Sequence, residues 1–135
     1  MITSQEIANK EMVRRFNDEL ISKGIRAAFR DIVSPNFFDH TAPPGSSGAE
    51  ALSYFIFDIL RVAIPDIQVE IHDLIAEGEK VTTRKTFRGT FKAELLGIAA
   101  SNKQIAIDVI DILVVRDGRI IEHWGMNNFF QIAQC

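Results

Sequence analysis

The stretch from Asp108 to Asn128 constrains this chain more than any other. Two apolar runs, Val109 to Val115 and one opening at Ile120, flank Asp117-Gly118. Asp-Gly between such runs is the strongest short-range signal for a β-hairpin, because both central residues of a type I′ turn need positive φ, which Gly adopts freely and Asp tolerates. A two-residue turn places Val115 opposite Ile120, Leu113 opposite Glu122, Asp111 opposite Trp124, Val109 opposite Met126 and Ile107 opposite Asn128 on one face. The other face carries Val114 with Ile121, Ile112 with His123, Ile110 with Gly125 and Asp108 with Asn127.

Both faces are largely apolar. A half-exposed hairpin alternates cleanly between apolar and polar, so both faces are expected to be covered, one by the domain's own helices and one by a second subunit. Asp111, Glu122, His123, Trp124 and Asn128 are then either pocket groups or paired interior groups, since an isolated buried charge is too costly to keep.

A length of 135 residues suits one domain, residues 1–135, with a core that needs neither disulfides nor a metal. The net charge of −3, without a basic block, speaks against nucleic acid or an anionic membrane as partner. The single cysteine, Cys135, offers no disulfide framework and no metal-type spacing, and is not expected to be a nucleophile. The start of the chain lacks a signal-peptide pattern and no run reaches the length of a membrane span, so a cytoplasmic protein is expected.

Thr3 with Glu6 fits a capping box, and Ile7, Met12, Val13, Phe16, Leu20 and Ile21 recur at helical spacing up to Lys23-Gly24. Ile25, Ala28, Phe29 and Ile32 extend that period through a shorter helix stopped by Ser34-Pro35. Phe37 to His40 form a short extended piece, and Thr41 to Ser46 a loop. Ser47 and Glu50 suggest a second capping box, opening a third helix that ends near Ala63, before Pro65. From Ile67 the period becomes two: one strand runs to Ile75, Glu77 to Lys80 turn the chain, and a second runs from Val81 to Phe91. Lys92 to Lys103 reads as a loop or short helical turn before the hairpin. Three helices followed by a bent antiparallel sheet of about four strands make an α+β domain with helices on the concave side and a ligand cavity between the layers.

These residues resemble a family. Pro65-Asp66-Ile67, Ala76-Glu77-Gly78-Glu79, Arg88-Gly89-Thr90, Gly97-Ile98, Lys103, and Asp117-Gly118-Arg119-Ile120 with Glu122-His123-Trp124 are similar in order and spacing to the SnoaL-like polyketide cyclases, part of the NTF2-like superfamily. The resemblance covers nearly the whole chain, His40 and the Pro-Gly loop included. It implies an NTF2-like cone-shaped barrel, usually a homodimer through the outer sheet face. It also implies a deep pocket, which in the characterised cyclases closes a ring by intramolecular aldol condensation without metal or cofactor. In those cyclases an Asp four residues after the Trp is the acid/base, and a His commonly follows the Gly-Thr pair. Asn128 and Phe91 stand at those positions here. An amide can orient a carbonyl or enol but has no titratable proton near neutral pH, and Phe91 supplies only apolar surface.

The candidate residues each carry two readings. Asn128 either points its amide at a ligand or caps the strand end. Asp111 and Glu122 either act as general base, given burial, or serve structure, Asp111 as partner of a buried Arg and Glu122 at the wet end of the hairpin. His40 is the remaining acid/base candidate because its unperturbed pKa lies near working pH. His123 alternates away from Trp124, toward a structural or dimer-interface role beside Asp108 or Asn127. Phe55, Phe87, Phe91, Trp124 and Met126 form either core or an aromatic-walled slot for a small hydrophobic or aromatic carbonyl ligand. Arg84 and Arg88 face outward, toward acidic residues across a dimer. Two functions follow: a cofactor-free cyclase or isomerase, or a non-catalytic binding protein of the same fold that has lost the family's acid/base pair.

Overall fold

The computed structural model describes residues 1–133; Cys135, and with it the reading of its thiol, lies outside them. Helix α1 (Ser4–Arg15) continues as a π-helical stretch, Phe16–Ser22, and a tight turn at Arg26–Ala28 leads through α2 (Phe29–Ile32) into β1 (Val33–Asp39). Helix α3 (Ala49–Tyr54) likewise runs on through a π-helical stretch, Phe55–Leu60, to α4 (Arg61–Ala63). Strands β2 (Gln68–Glu77), β3 (Lys80–Thr90), β4 (Gln104–Arg116) and β5 (Arg119–Asn127) follow, and α5 (Phe129–Ala133) is the last described element.

The first helix starts as its sequence dictates. Thr3 Oγ1 accepts from the Glu6 N–H at 3.1 Å and Glu6 accepts from the Thr3 N–H at 2.8 Å, completing the capping box. The second Glu6 oxygen takes the Gly78 N–H at 2.8 Å, which ties the helix to the β2–β3 turn. Gly24, at φ +66°, ends the helical run. The second capping box does not form: Gly48 caps α3 without a side-chain hydrogen bond, and the Ser47 carbonyl accepts from the Asp39 N–H at 2.8 Å. Ser34 and Pro35 do more than stop a helix, since both belong to β1. Pro is tolerated there because β1 lies at the sheet edge.

The architecture is α+β, with a five-stranded, mostly antiparallel sheet in the order β1-β5-β4-β3-β2. The strand beyond the expected four is β1, which pairs parallel with β5 and brings Asp39 beside His123. Apolar side chains of the helical layer, among them Val13, Leu20, Ile56 and Leu60, pack on the inward residues Val81, Ile107, Leu113 and Val115. This side of the sheet is the core.

The organising hairpin forms, and its register differs from the straight one. Asp117 (φ +52°) and Gly118 (φ +76°) make the turn, Arg116 pairs with Arg119, and Val115 with Ile120. The next pairs are Val114 with Glu122, Leu113 with His123, Ile112 with Trp124, Asp111 with Gly125, Ile110 with Met126 and Val109 with Asn127. Ile121 is the extra residue of a β-bulge. Because strand side chains alternate with period two, a one-residue slip moves every later side chain to the opposite face. His123, Gly125 and Asn127 therefore share the helix-covered face with Asp111, while Glu122 and Trp124 turn outward. Deleting Ile121 brings Glu122 next to Ile120, still opposite Val114, and leaves every later pair in place, so His123 stays inward and Glu122 outward. Urea denaturation is expected to show a loss of less than about 3 kcal/mol, within the range of most single changes.

Candidate active site

A cavity of about 670 Å³ opens between the helices and the inner sheet face. Phe16 and Ile21 of the first π-helical stretch and Phe55, Ile59 and Leu60 of the second supply its helical wall. Such stretches are rare and recur at functional sites, and both line this cavity. Phe87 and Val109 continue the apolar lining on the sheet side.

The sheet also supplies a polar end, with one charged group from each of four strands. Asp39 comes from β1, Lys85 from β3, Asp111 from β4 and His123 from β5. Lys85 Nζ lies 2.9 Å from Asp111 Oδ2 and donates to Asn17 Oδ1 at 2.7 Å. Its ammonium also sits over the Phe87 and Phe16 rings, 5.3 and 5.8 Å from their centroids. The Thr83 hydroxyl donates to Asp111 Oδ1. His123 Nε2 is 3.4 Å from Asp111 Oδ2, and His123 Nδ1 is 3.0 Å from Asp39 Oδ1, the latter an ionic contact off the line of a hydrogen bond. Asp39 Oδ1 in turn accepts from the Thr41 N–H and hydroxyl, both at 3.0 Å.

Gly125 makes this arrangement possible. It sits opposite Asp111, and a Cβ there would come within 2.7 Å of the His123 ring. Without it the imidazole leans across the strand to reach Asp111.

Burial alone would neutralise these groups, and their partners reverse its effect. Desolvation pushes the Asp111 carboxyl upward, but the Lys85 charge and hydrogen bonds from His123, Thr83 and Lys85 hold it well below the usual carboxylate range. Asp39 is likewise raised by burial and lowered further by His123 and Thr41. Desolvation lowers His123, while the two carboxylates outweigh it and raise its pKa above 6.5.

Of the residues singled out from sequence, Asp111, Phe55, Phe87 and Met126 line the cavity, Met126 exposed at its mouth. The partner of Asp111 is a buried Lys, not an Arg. His40, Glu122 and Trp124 come together on the outer face: His40 Nε2 is 2.8 Å from Glu122 Oε1, and its ring stacks on Trp124 at 4.2 Å. Phe91 is buried against Phe129 and is not part of the lining. Asn128 takes the strand-capping role: its Oδ1 accepts from the Asp108 N–H at 2.8 Å. His123 is corrected from the outer face to the inner one by the bulge. Arg84 and Arg88 pair with Asp73 and Glu70 of the adjacent strand in the same chain.

Sequence reasoning missed Asp39, Lys85 and His123 as a unit. The signals were a lysine at an inward position between Thr83 and Phe87, and an isolated glycine in a strand, which often marks a close approach. Among the described residues, no group of three or more His, Cys, Asp and Glu side chains is arranged to hold a metal ion, and no helix is long and apolar enough to cross a membrane.

The family model for SnoaL-like polyketide cyclases matches residues 11–134. A proposed polyketide cyclase from Bacillus cereus ATCC 10987 is 32% identical, with a TM-score of 0.81, over 98% of this chain and 83% of that one. A proposed SnoaL-like polyketide cyclase from Jannaschia sp. CCS1 superposes with a TM-score of 0.85 at 22% identity, over 98% of this chain and 93% of that one. TsrD from Streptomyces laurentii gives 0.84 at 22% identity, over 99% and 96%. Comparison with curated protein sequences finds no match.

Two predictions test the cluster. Lys85→Met leaves Asp111 buried without its cation and is expected to cost about 3–5 kcal/mol in urea unfolding; adding Asp111→Asn recovers part of that loss, a coupling read by the double-mutant cycle. The second concerns pH. Asp39 and Asp111, lowered in the fold, contribute stability above about pH 4 that is lost as pH falls through their folded values. His123, raised in the fold, contributes fully below about pH 6.5 and loses its contribution as pH rises through its folded value. The cluster's contribution to the urea midpoint is thus expected to peak between about pH 4 and 6.5, and Asp111→Asn to flatten the alkaline fall.

Proposed function

From the chain's membership of the SnoaL-like polyketide cyclase family, we propose that its cavity binds a flat, uncharged, largely apolar carbonyl compound and closes a ring in it by cofactor-free acid–base aldol chemistry. One observation carries this reading: an apolar cavity of about 670 Å³ that ends in a cluster of acid, base and cation. The apolar walls suit a flat hydrocarbon framework. The cluster balances itself, with two carboxylates against one ammonium and, when protonated, one imidazolium. No unmatched charge remains to recruit an ionic ligand.

Aldol closure requires a proton to leave a carbon beside a carbonyl, and the resulting negative charge must be stabilised where water is scarce. His123 is the cluster's imidazole, the side chain whose ordinary pKa lies near neutral, and Asp111 and Asp39 raise it. In its charged form it lowers the energy of a developing enolate or alkoxide at that end of the cavity. Lys85, fixed to Asp111 and Asn17, keeps Asp111 ionised so that the imidazolium persists.

A binding module without turnover is the second reading. It is favoured by the family's acid and His positions, Asn128 and Phe91, which serve structure here. A homodimer is also proposed. Ile75, Ile110 and Met126 are exposed at 63%, 56% and 80%, and Ile75 and Ile110 lie on the outer sheet face beside Trp124, an apolar surface that a second copy would cover. Sedimentation giving a monomer at micromolar concentration would remove the dimer from the proposal.

Thermal shift against flat polycyclic ketones, followed by mass and NMR analysis of products, tests the function. The expected result is a ligand that raises Tm and is converted to a cyclised isomer or its dehydration product. His123→Gln keeps the Tm shift and loses at least about a hundredfold in turnover. Wild-type turnover falls as pH rises through the raised His123 pKa. Ligands that bind with no conversion at any pH would establish the binding module instead.

A further inference from the structure

The proposed reaction needs an atom that meets the substrate's proton, and the cluster leaves few free. Asp111 is enclosed: Oδ1 takes the Thr83 hydroxyl, Oδ2 faces Lys85 and His123, and its side chain is 3% exposed. Lys85, at 1%, is committed to Asp111 and Asn17. Both His123 ring nitrogens face carboxylates. Asp39 differs. Its Oδ1 collects the Thr41 N–H, the Thr41 hydroxyl and the His123 contact, whereas no donor among the described residues lies against Oδ2. Its side chain is 17% exposed and forms part of the cavity wall.

We propose that Asp39 is the catalytic base of this site, taking the proton from carbon through Oδ2; the assignment rests on the aldol reading above. The C–H bond breaks, an O–H bond forms on Oδ2, and the electron pair stays on the ligand as an enolate. The enolate carbon then attacks the second carbonyl, a C–C bond forms, and the new alkoxide takes the proton back from Asp39. No oxidant or co-reactant is needed.

Charge accounting supports this direction. With Asp39 ionised and His123 charged, Asp39, Asp111, Lys85 and His123 sum to zero. Once Asp39 holds the proton, the remaining Asp111, Lys85 and His123 sum to one positive charge facing the enolate. Leu52 and Phe55 of the helical wall are apolar, and the polar groups placed against Asp39 are Thr41 and His123, which tune it. A seated apolar ligand displaces water from Oδ2 and moves the resting, lowered pKa of Asp39 upward, toward a useful base. Thr41 fixes the carboxylate's orientation, and its Oγ1 is itself held by the Gly125 N–H at 2.9 Å.

The test is exchange of the α-protons of β-tetralone in deuterated buffer, followed by NMR. Wild-type protein is expected to speed exchange, and Asp39→Asn, which keeps the side chain's size, to lower that rate at least about a hundredfold while the affinity for β-tetralone changes less than about threefold. Thr41→Val removes one hydrogen bond to Oδ1 and keeps the carboxylate; it is expected to move the acid limb of the pH–rate profile to higher pH. Exchange by Asp39→Asn within about threefold of wild type, or an unmoved acid limb in Thr41→Val, overturns the assignment to Asp39 and leaves the aldol reading standing. Wild-type protein that does not speed exchange overturns both.

Discussion

Charges buried in an apolar cavity must cancel, and that constraint orders the inner half of this fold. The Lys85 ammonium and the Asp111 carboxylate are almost fully withdrawn from water. Neither is tolerable alone in such surroundings. Their pairing requires β3 and β4 to be adjacent with Thr83 opposite Asp111, and the cluster closes only if β5 presents His123 and β1 presents Asp39. The parallel edge strand is therefore part of the electrostatics as well as of the sheet. A strand shifted by one residue would leave a charge without its counter-ion.

Much of the fold was legible because it rests on local signals. Thr3 and Glu6 mark the first helix, Asp117 and Gly118 mark the turn, and the change of period near Ile67 marks the sheet. The bulge at Ile121 was not legible. Both faces of the hairpin are apolar, so the pattern carries the period of the strand without its phase, and adding one residue changes no count. Every assignment beyond Ile121 inherited the wrong face for that reason. Asp39 was hidden differently: a short extended piece announces neither its partner strand nor its direction, and only the parallel ladder with β5 places it at His123.

The same geometry explains why residues grouped from sequence do assemble, though on the far side of the sheet. Neighbours along a strand point to opposite faces, so Asp39 and His123 turn inward while His40 and Trp124 turn outward and stack. Glu122 joins the outer pair through its bond to His40. Two clusters thus share the same two strands, one against the cavity and one on the surface. The outer one is not part of the cavity's lining, whereas the inner one lines it and includes a cation.

Asn128 follows from its neighbour. Its carbonyl oxygen accepts from the Asp108 N–H, and its amide nitrogen lies 3.4 Å from Asp108 Oδ2. A carboxylate at residue 128 would set two negative groups against each other, with neither able to donate. An amide satisfies both contacts and fixes the point where β5 passes into α5, whose Phe129 then packs on Phe91. Asp108 and the aromatic pair thus commit the strand end to structure. That leaves the acid and base groups at the cavity to Asp39, at the end of β1, and to Asp111 and His123 within β4 and β5.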